Sequence, residues 1–186
     1  MDLIFLVDDD DPTLGDYPLN RLCGKTTGDP TGPLNAAVKE SKADVVGFLG
    51  DDSRFATVGW DEQVLDALRV PGFCWGSDGH ERPWPTTVFI SRSITGALGW
   101  MVPPTLRRGF FDVAWVTLAQ LTGTARVVPA VFPHDNSKGD PTSPNFDPAY
   151  RVPPAVIAED EWQYRLWEKN ESKRDAQKIR RVVYAF

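Results

Sequence analysis

Residues 43–54 read ADVVGFLGDDSR, a short apolar run that ends in Gly50 and two adjacent carboxylates, Asp51 and Asp52. A continuous apolar run of this length, rich in β-branched and aromatic residues, predicts a strand buried on both faces of an α/β sheet. Ligands of such sheets bind beyond the carboxyl ends of the strands, which is where the acid pair falls. Two adjacent carboxylates repel each other, and a divalent cation would relieve the repulsion. The alternative is a plain turn, which Asp favours through local hydrogen bonds.

The composition is typical of one soluble globular domain and argues against some functions. The chain has 186 residues, 41% of them hydrophobic and 25% charged, with a formal net charge of −6. This acidic balance argues against binding nucleic acid through a whole basic face, although a local basic patch stays open. No apolar run approaches the length of a membrane span. Cys23 and Cys74 have no metal-binding spacing and are too few for a disulfide framework, so we expect a cytoplasmic protein.

A second strand followed by acids opens the chain. Residues 3–7 (LIFLV) predict a strand, and Asp8, Asp9 and Asp10 come directly after it. A carboxylate at this position could accept hydrogen bonds from a ribose hydroxyl or a nucleobase N–H. The alternative is a solvated acidic turn that Pro12 closes.

Predicted helices and strands alternate along the rest of the chain, which indicates an α/β fold. Helices are predicted at residues 34–41, 60–69, 94–98, 113–121 and 159–183, and further strands at residues 73–76, 86–91 and 127–132. We therefore expect a Rossmann-like domain over residues 1–158, with a mostly parallel sheet flanked by helices. Residues 159–186 are expected to form a C-terminal helix that packs on this domain or extends from it.

Four polar residues stand near the ends of these predicted elements. Asp112 precedes a helix, where it is either an N-cap or, at the ligand edge of the sheet, a general base. His134 follows the last predicted strand and is either a metal ligand or a plain loop histidine. Asn35 lies near the start of the first predicted helix and so near the same edge. His80 lies in a charged loop and is expected to be solvated.

The order of these motifs resembles that of nucleotide-sugar glycosyltransferases with the GT-A fold, in particular the short family-2-like transferases of phage and bacterial genomes. The resembling segments cover nearly all of residues 3–150. They are LIFLVDDDDP at 3–12, NAA at 35–37, VGFLGDDSRFATVGW at 46–60, GSD at 76–78, PTTVF at 85–89, GALGWMVPP at 96–104, FD at 111–112 with Trp115, and FPH at 132–134 followed by Lys138, Asp140 and Tyr150.

The resemblance implies a role for each matching residue. Asp52 and His134 would bind Mn²⁺ or Mg²⁺, and Asp112 would be the catalytic base of an inverting enzyme. The other candidates would contact the nucleotide or the sugars: Asp8, Asp9 and Asp10 at the nucleobase and ribose, Asp51 at the ribose or the water shell of the metal, Lys138 at the diphosphate, Asp78 and Thr86 at the donor sugar or the acceptor, and Asn35 within the same pocket.

The implied function is metal-dependent transfer of a hexose from a nucleotide-diphosphate sugar, UDP-linked by preference, to a hydroxyl acceptor. That acceptor could be a modified DNA base, a protein or a glycan, and a phage-encoded enzyme would act in the host cytoplasm. Two other functions stay open. One is a non-catalytic module, derived from a trimmed transferase, that binds a nucleotide, a sugar or a partner. The other is a metal-dependent nucleotidyltransferase or phosphohydrolase, which also gathers acids at strand ends.

One departure from the family concerns its nucleotide pocket. The family's fold normally opens with a further strand and helix before the segment that matches residues 3–11, and that strand lines the pocket. The sequence as numbered begins after it. A naturally trimmed protein, a start upstream of this numbering, or a partner chain that rebuilds the pocket would each account for the difference. An edge strand without its usual neighbour could also pair with a second copy of the chain.

Overall fold

The computed structural model describes residues 4–8, 14–16, 21–24, 29–50, 52–81, 83–135, 137, 142–144 and 152–185. The strands in these ranges are β1 (Phe5–Asp8), β2 (Arg21–Gly24), β3 (Val45–Phe48), β4 (Phe73–Ser77), β5 (Val88–Ser91) and β6 (Ala125–Val131). The helices are α1 (Thr31–Glu40), α2 (Trp60–Ala67), α3 (Arg92–Leu98), α4 (Phe111–Thr122), α5 (Pro154–Asn170) and α6 (Ser172–Val183), with a 3₁₀ turn at Leu14–Asp16. The predicted α/β class is confirmed.

The main sheet has four strands in the order β3-β5-β4-β6. β5 is antiparallel to both of its neighbours, whereas β4 and β6 are parallel. The sheet is therefore mixed, and the prediction of a mostly parallel sheet is wrong. The prediction failed because a short, fully buried strand has the same continuous apolar run whether it is parallel or antiparallel to its neighbours. β3, β4 and β6 nevertheless point the same way, so their carboxyl ends share one edge of the sheet.

Burial along the sheet follows strand position. All four residues of the central β5 are buried. In β3, Val46 is buried but Gly47 is exposed, and the remaining two residues are half-buried. The prediction that β3 is buried on both faces is thus wrong. Among the described strands, β3 is the outermost strand on one side of the sheet and has a neighbour only on its other side. β1 and β2 form a separate parallel pair, with Phe5 opposite Arg21.

Helices cover both faces of the main sheet, as predicted. On one face, Val46, Phe73 and Ile90 belong to a large core with side chains of α3, α4, α5 and α6. On the other face, Cys74 and Phe89 pack with residues of α2. The α4 helix shows why the sequence folds this way, since its buried positions recur at the spacing of one helical face. These positions are Phe111, Ala114, Trp115, Leu118, Ala119 and Thr122.

The predicted C-terminal helix is present, but it is broken into α5 and α6 at Glu171. Trp167 of α5 donates from Nε1 to Oδ2 of the buried Asp175 in α6, at 3.0 Å, which holds the two helices together across the break. Both helices contribute to the core that contains the sheet. Among the described residues, none of the helices combines the length and apolar character that crossing a membrane requires.

Candidate functional site

The site lies at the sheet edge that the carboxyl ends of β3, β4 and β6 share. β3 and β6 are at opposite sides of the four-stranded sheet, about 14 Å apart at a strand spacing of about 4.8 Å. The chain after β3 crosses this gap, because Ser53 forms an antiparallel bridge with His134. Two backbone hydrogen bonds continue the contact, from Arg54 N–H to the Pro133 carbonyl at 3.0 Å and from Asp135 N–H to the Asp52 carbonyl at 2.9 Å.

This crossing brings Asp52 and His134 together. Nε2 of His134 lies 3.1 Å from Oδ2 of Asp52, and the two side chains are only 19% and 6% exposed. Nδ1 of His134 is buried and has no hydrogen-bond partner among the described residues. A buried carboxylate is costly unless a donor or a cation compensates it, so the contact is a polar centre enclosed by protein rather than a chance surface pair.

Gly50 shapes the position of the Asp52 carboxylate. Its carbonyl accepts a hydrogen bond from Ser53 N–H at 3.0 Å, which closes a tight turn around Asp52. A Cβ at position 50 would lie 2.7 Å from Oδ1 of Asp52, closer than side-chain atoms tolerate. A side chain at position 50 would therefore displace the carboxylate.

A second buried carboxylate, Asp78, follows β4 beside this pair. Its Oδ1 accepts a hydrogen bond from His80 N–H at 2.9 Å, and its Oδ2 accepts one from Thr86 Oγ1 at 3.4 Å. The Asp78 carbonyl also accepts the N–H of His134 at 3.2 Å. The structure therefore places the predicted residues Asp52, Asp78, Thr86 and His134 in one connected group.

His80 belongs to the same group, which the sequence did not reveal. Its ring is exposed, in line with the expectation of a solvated histidine, but Nε2 lies 2.9 Å from the His134 carbonyl. The two imidazole centroids are 6.2 Å apart. One feature of the sequence could have indicated that His80 belongs to the site. It follows Asp78 by two residues, just beyond a strand that ends at the ligand edge.

Asp112 is in the first turn of α4, but it is not the N-cap. That position belongs to Phe110, whose φ of 64° lies in the left-handed region, so the predicted N-cap is wrong by two residues. The Asp112 carboxylate accepts the N–H of Val113 at 2.8 Å. Trp115 of the same helix contacts Phe48 at a centroid distance of 5.9 Å, so the start of α4 packs near the carboxyl end of β3.

The segment that leads to α4 is held by a buried acid that the sequence did not single out. Asp160 of α5 is fully buried, and its carboxylate accepts the N–H groups of Arg107, Arg108 and Gly109 at 2.9, 2.8 and 2.7 Å. The sequence could not predict this role, because Asp160 is one of several acidic residues in the same helix and its partners are backbone groups distant in sequence. Asp160 thereby fixes the entry to α4 and so the position of Asp112.

The side-chain amide of Asn35 forms hydrogen bonds to the main chain of Met101 and Val102. Its Oδ1 accepts the N–H groups of Met101 and Val102 at 2.8 and 3.0 Å, and its Nδ2 donates to the Val102 carbonyl at 2.9 Å. These bonds account for both ends of the amide and tie α1 to the turn after α3. A nucleotide- or sugar-binding role for Asn35 stays a prediction without support from this geometry.

Several predicted site residues lie outside the described residues: Asp9, Asp10, Asp51 and Lys138. For Asp8 the backbone is described, as the last residue of β1. Within the described part of the chain, no cluster of three or more His, Cys, Asp or Glu side chains could hold a metal ion. The predicted metal site is therefore represented by the Asp52–His134 pair alone.

Comparisons of the chain with protein-family models, with curated proteins and with solved structures gave no match. The site is consequently interpreted from its own chemistry. It offers a buried carboxylate paired with a half-buried imidazole, a second buried carboxylate and an exposed imidazole at one sheet edge. Such groups can bind a cation, accept hydrogen bonds from hydroxyl groups and exchange protons.

Proposed function

We propose that the chain is a metal-dependent glycosyltransferase that moves a hexose from a nucleotide-diphosphate sugar to a hydroxyl acceptor. The observation that carries the proposal is the contact between Oδ2 of Asp52 and Nε2 of His134. Both residues were predicted as metal ligands from sequence, and they follow two strands at opposite sides of the sheet. The segment after β3 crosses the sheet edge and brings the two side chains into contact.

The geometry and chemistry of the pair suit a divalent cation. Two ligand atoms that sit side by side on an octahedral ion, each at about 2.1 Å, are about 3 Å apart, and the observed separation is 3.1 Å. A carboxylate suits Mg²⁺ or Mn²⁺, and Mn²⁺ also accepts an imidazole. Sites of this kind commonly have one or two protein ligands and are completed by phosphate oxygens and water. Two ligands are thus enough where the diphosphate supplies the rest.

The negative charge of the region also favours a cation. Asp52 and Asp78 are buried at the edge where a diphosphate would bind. A diphosphate would be repelled by these carboxylates unless a positive charge stood between them. A bound Mn²⁺ or Mg²⁺ would neutralise charge on the diphosphate as it leaves. Lys138 is proposed as a further positive contact to the diphosphate, and Asp9, Asp10 and Asp51 as contacts to the nucleoside or the metal's water shell.

Asp112 is proposed as the base for the transfer step. Its carboxylate would take the proton of the acceptor hydroxyl, whose oxygen then forms a bond to the anomeric carbon. The bond from that carbon to the diphosphate breaks in the same step, and the nucleoside diphosphate leaves with the electron pair. The anomeric carbon would pass through an oxocarbenium-like state. Attack from the side opposite the leaving group would invert the configuration at this carbon. Asp78 and Thr86 are proposed to hold hydroxyl groups of a sugar.

The experiment that tests the proposal follows the fate of the sugar. The protein is incubated with UDP-hexoses and a panel of hydroxyl acceptors in Mn²⁺ or in EDTA, and the products are identified by mass spectrometry. The proposal predicts a product heavier by one hexose, formed only with the metal. Release of phosphate or pyrophosphate in place of sugar transfer would support a nucleotidyltransferase or phosphohydrolase. Metal-dependent binding of the nucleotide with no product from any donor and acceptor would favour the non-catalytic module.

A further inference from the structure

A cleft of about 290 Å³ opens directly beside the candidate site. Asp78 and His80, both members of the site, form part of its wall. The rest of the wall is mainly apolar and comes from the end of β4, the loop before β5 and the outer strand β6. The side chains that matter here are Trp75, Ser77, Trp84 and Val127.

We propose that this cleft binds the acceptor and that the acceptor is a pyranose ring of a glycan. This inference rests on the proposed function and names the substrate class for the same site. It is carried by the combination of an exposed indole face, an exposed valine and a polar end within one small cleft.

The apolar wall provides a surface for the C–H face of a sugar ring. Trp84 is 39% exposed and Val127 is 72% exposed, and both line the same cleft. Exposed apolar side chains gathered in one place, unlike single ones, are typical of a binding site. Trp75 is half-buried and completes the wall. A pyranose has a flat apolar face that can lie on an aromatic ring, while its hydroxyl groups point outward and need polar partners.

The polar end supplies partners for those hydroxyl groups. The carboxylate of Asp78 has lone pairs beyond those that accept His80 N–H and Thr86 Oγ1. The hydroxyl of Ser77 is exposed and accepts Gly79 N–H at 3.2 Å, so its own proton can be donated. Asp78 and His80 also contact the main chain of His134, so this end of the cleft adjoins the Asp52–His134 pair.

The size and charge of the cleft argue against a nucleic-acid chain bound along its phosphate backbone. Ligand pockets commonly measure about 300–1,000 Å³, so a cleft of about 290 Å³ suits one or two sugar rings. Nucleic acid would require lysines or arginines against its phosphates, and among the described residues that line the cleft none is a lysine or an arginine. A modified DNA base is therefore the less suitable of the predicted acceptors.

The test measures carbohydrate binding without any transfer. Saturation-transfer NMR is recorded on the full chain with methyl α-glucoside, methyl β-galactoside and methyl α-mannoside, and with octathymidylate as the competing class. We expect at least one glycoside to bind, with its ring C–H protons most strongly saturated. Trp84→Ala should weaken its affinity about five- to tenfold, because an aromatic contact is lost, and Trp84→Phe should retain most of it. Trp162→Ala removes a comparably exposed indole on α5 and should have no effect.

Three other results would overturn the proposal. Binding of octathymidylate in preference to every glycoside would make the cleft a nucleic-acid site. If Trp84→Ala left glycoside binding unchanged, or if no glycoside bound at all, the cleft would not be a carbohydrate site. Nucleotide titrations with Mn²⁺ on the same samples separate this inference from the proposed function. Glycoside binding without nucleotide binding would keep the carbohydrate cleft and refute the transferase.

Discussion

Nε2 of His134 lies 3.1 Å from Oδ2 of Asp52, although the two residues follow β6 and β3 at opposite sides of the sheet. The contact exists because the segment after β3 crosses the sheet edge and bridges to the segment after β6 through Ser53 and His134. Both partners are largely enclosed by protein. This relationship makes the sheet edge a defined polar centre.

Gly50→Ala should weaken Mn²⁺ binding while the fold is kept. The added methyl group would lie 2.7 Å from Oδ1 of Asp52, so the carboxylate would have to move. Groups that orient a metal ligand typically affect metal affinity by about 10–100-fold. The measurement is a calorimetric Mn²⁺ titration in the presence of the nucleotide. Gly96→Ala is the matched control, because a Cβ there meets nothing within 4 Å in α3; equal affinities in both variants would contradict the assignment.

Asp112→Asn should abolish sugar transfer and leave nucleotide binding intact. The amide keeps the size of the side chain and can still accept the Val113 N–H, but it cannot take a proton from the acceptor. Transfer is measured with the donor and acceptor that support it, and nucleotide affinity by calorimetry on the same preparation. Full transfer activity in this variant would rule out Asp112 as the base and direct attention to Asp78 or His80.

Asp160→Ala should destabilise the protein and loosen the entry to α4. Three backbone N–H groups, of Arg107, Arg108 and Gly109, would lose their buried acceptor. A loss of about 2–4 kcal/mol in the free energy of unfolding is expected, which lowers Tm by roughly 5–15 °C in a chain of this length. Glu159→Ala, on the preceding and exposed residue, is the control. Denaturant unfolding that is the same for both variants would show that this buried acceptor is dispensable.

The elements were easier to predict from sequence than their arrangement. Apolar runs and helical spacing located β3, β5 and α4 within a few residues, and Asp52 and His134, predicted together as metal ligands, lie at one edge of the sheet. Strand direction could not be predicted, because the buried run of β5 has the same pattern in a parallel or an antiparallel strand. The roles of Asn35 and Asp160 were also hidden, since their partners are backbone groups that any sequence provides.

The stability of the protein should fall between about pH 9 and pH 11 in a way that depends on Cys74. Burial raises the pKa of this thiol to about 11, against a smaller opposing effect of Arg126. In the unfolded chain the thiol ionises near pH 8.5. At pH values between the two, the unfolded state has lost the proton that the folded state retains, so the free energy of unfolding decreases as pH rises. Chemical denaturation at pH 8 and pH 10.5 measures this decrease.

The control for the pH effect is Cys74→Ala, which removes the titrating group. The difference in unfolding free energy between pH 8 and pH 10.5 should be smaller in the variant than in the natural chain, although other groups such as Tyr164, whose pKa is also raised by burial, still titrate. The same decrease in both proteins would contradict a protonated Cys74 in the core.

The central claim is that Asp52 and His134 hold a cation through which the nucleotide binds, and a thermal-shift panel tests it most directly. UDP, GDP, ADP, CDP and dTDP are each added with Mn²⁺ or with EDTA to the natural chain and to Asp52→Asn, with the exposed Asp66→Asn as control. A ligand at a hundred times its dissociation constant adds about 2.7 kcal/mol to stability. The account predicts that one nucleotide, UDP first, raises Tm only with Mn²⁺ and only when Asp52 is intact. No shift with any nucleotide, or a shift that survives both EDTA and Asp52→Asn, would contradict it.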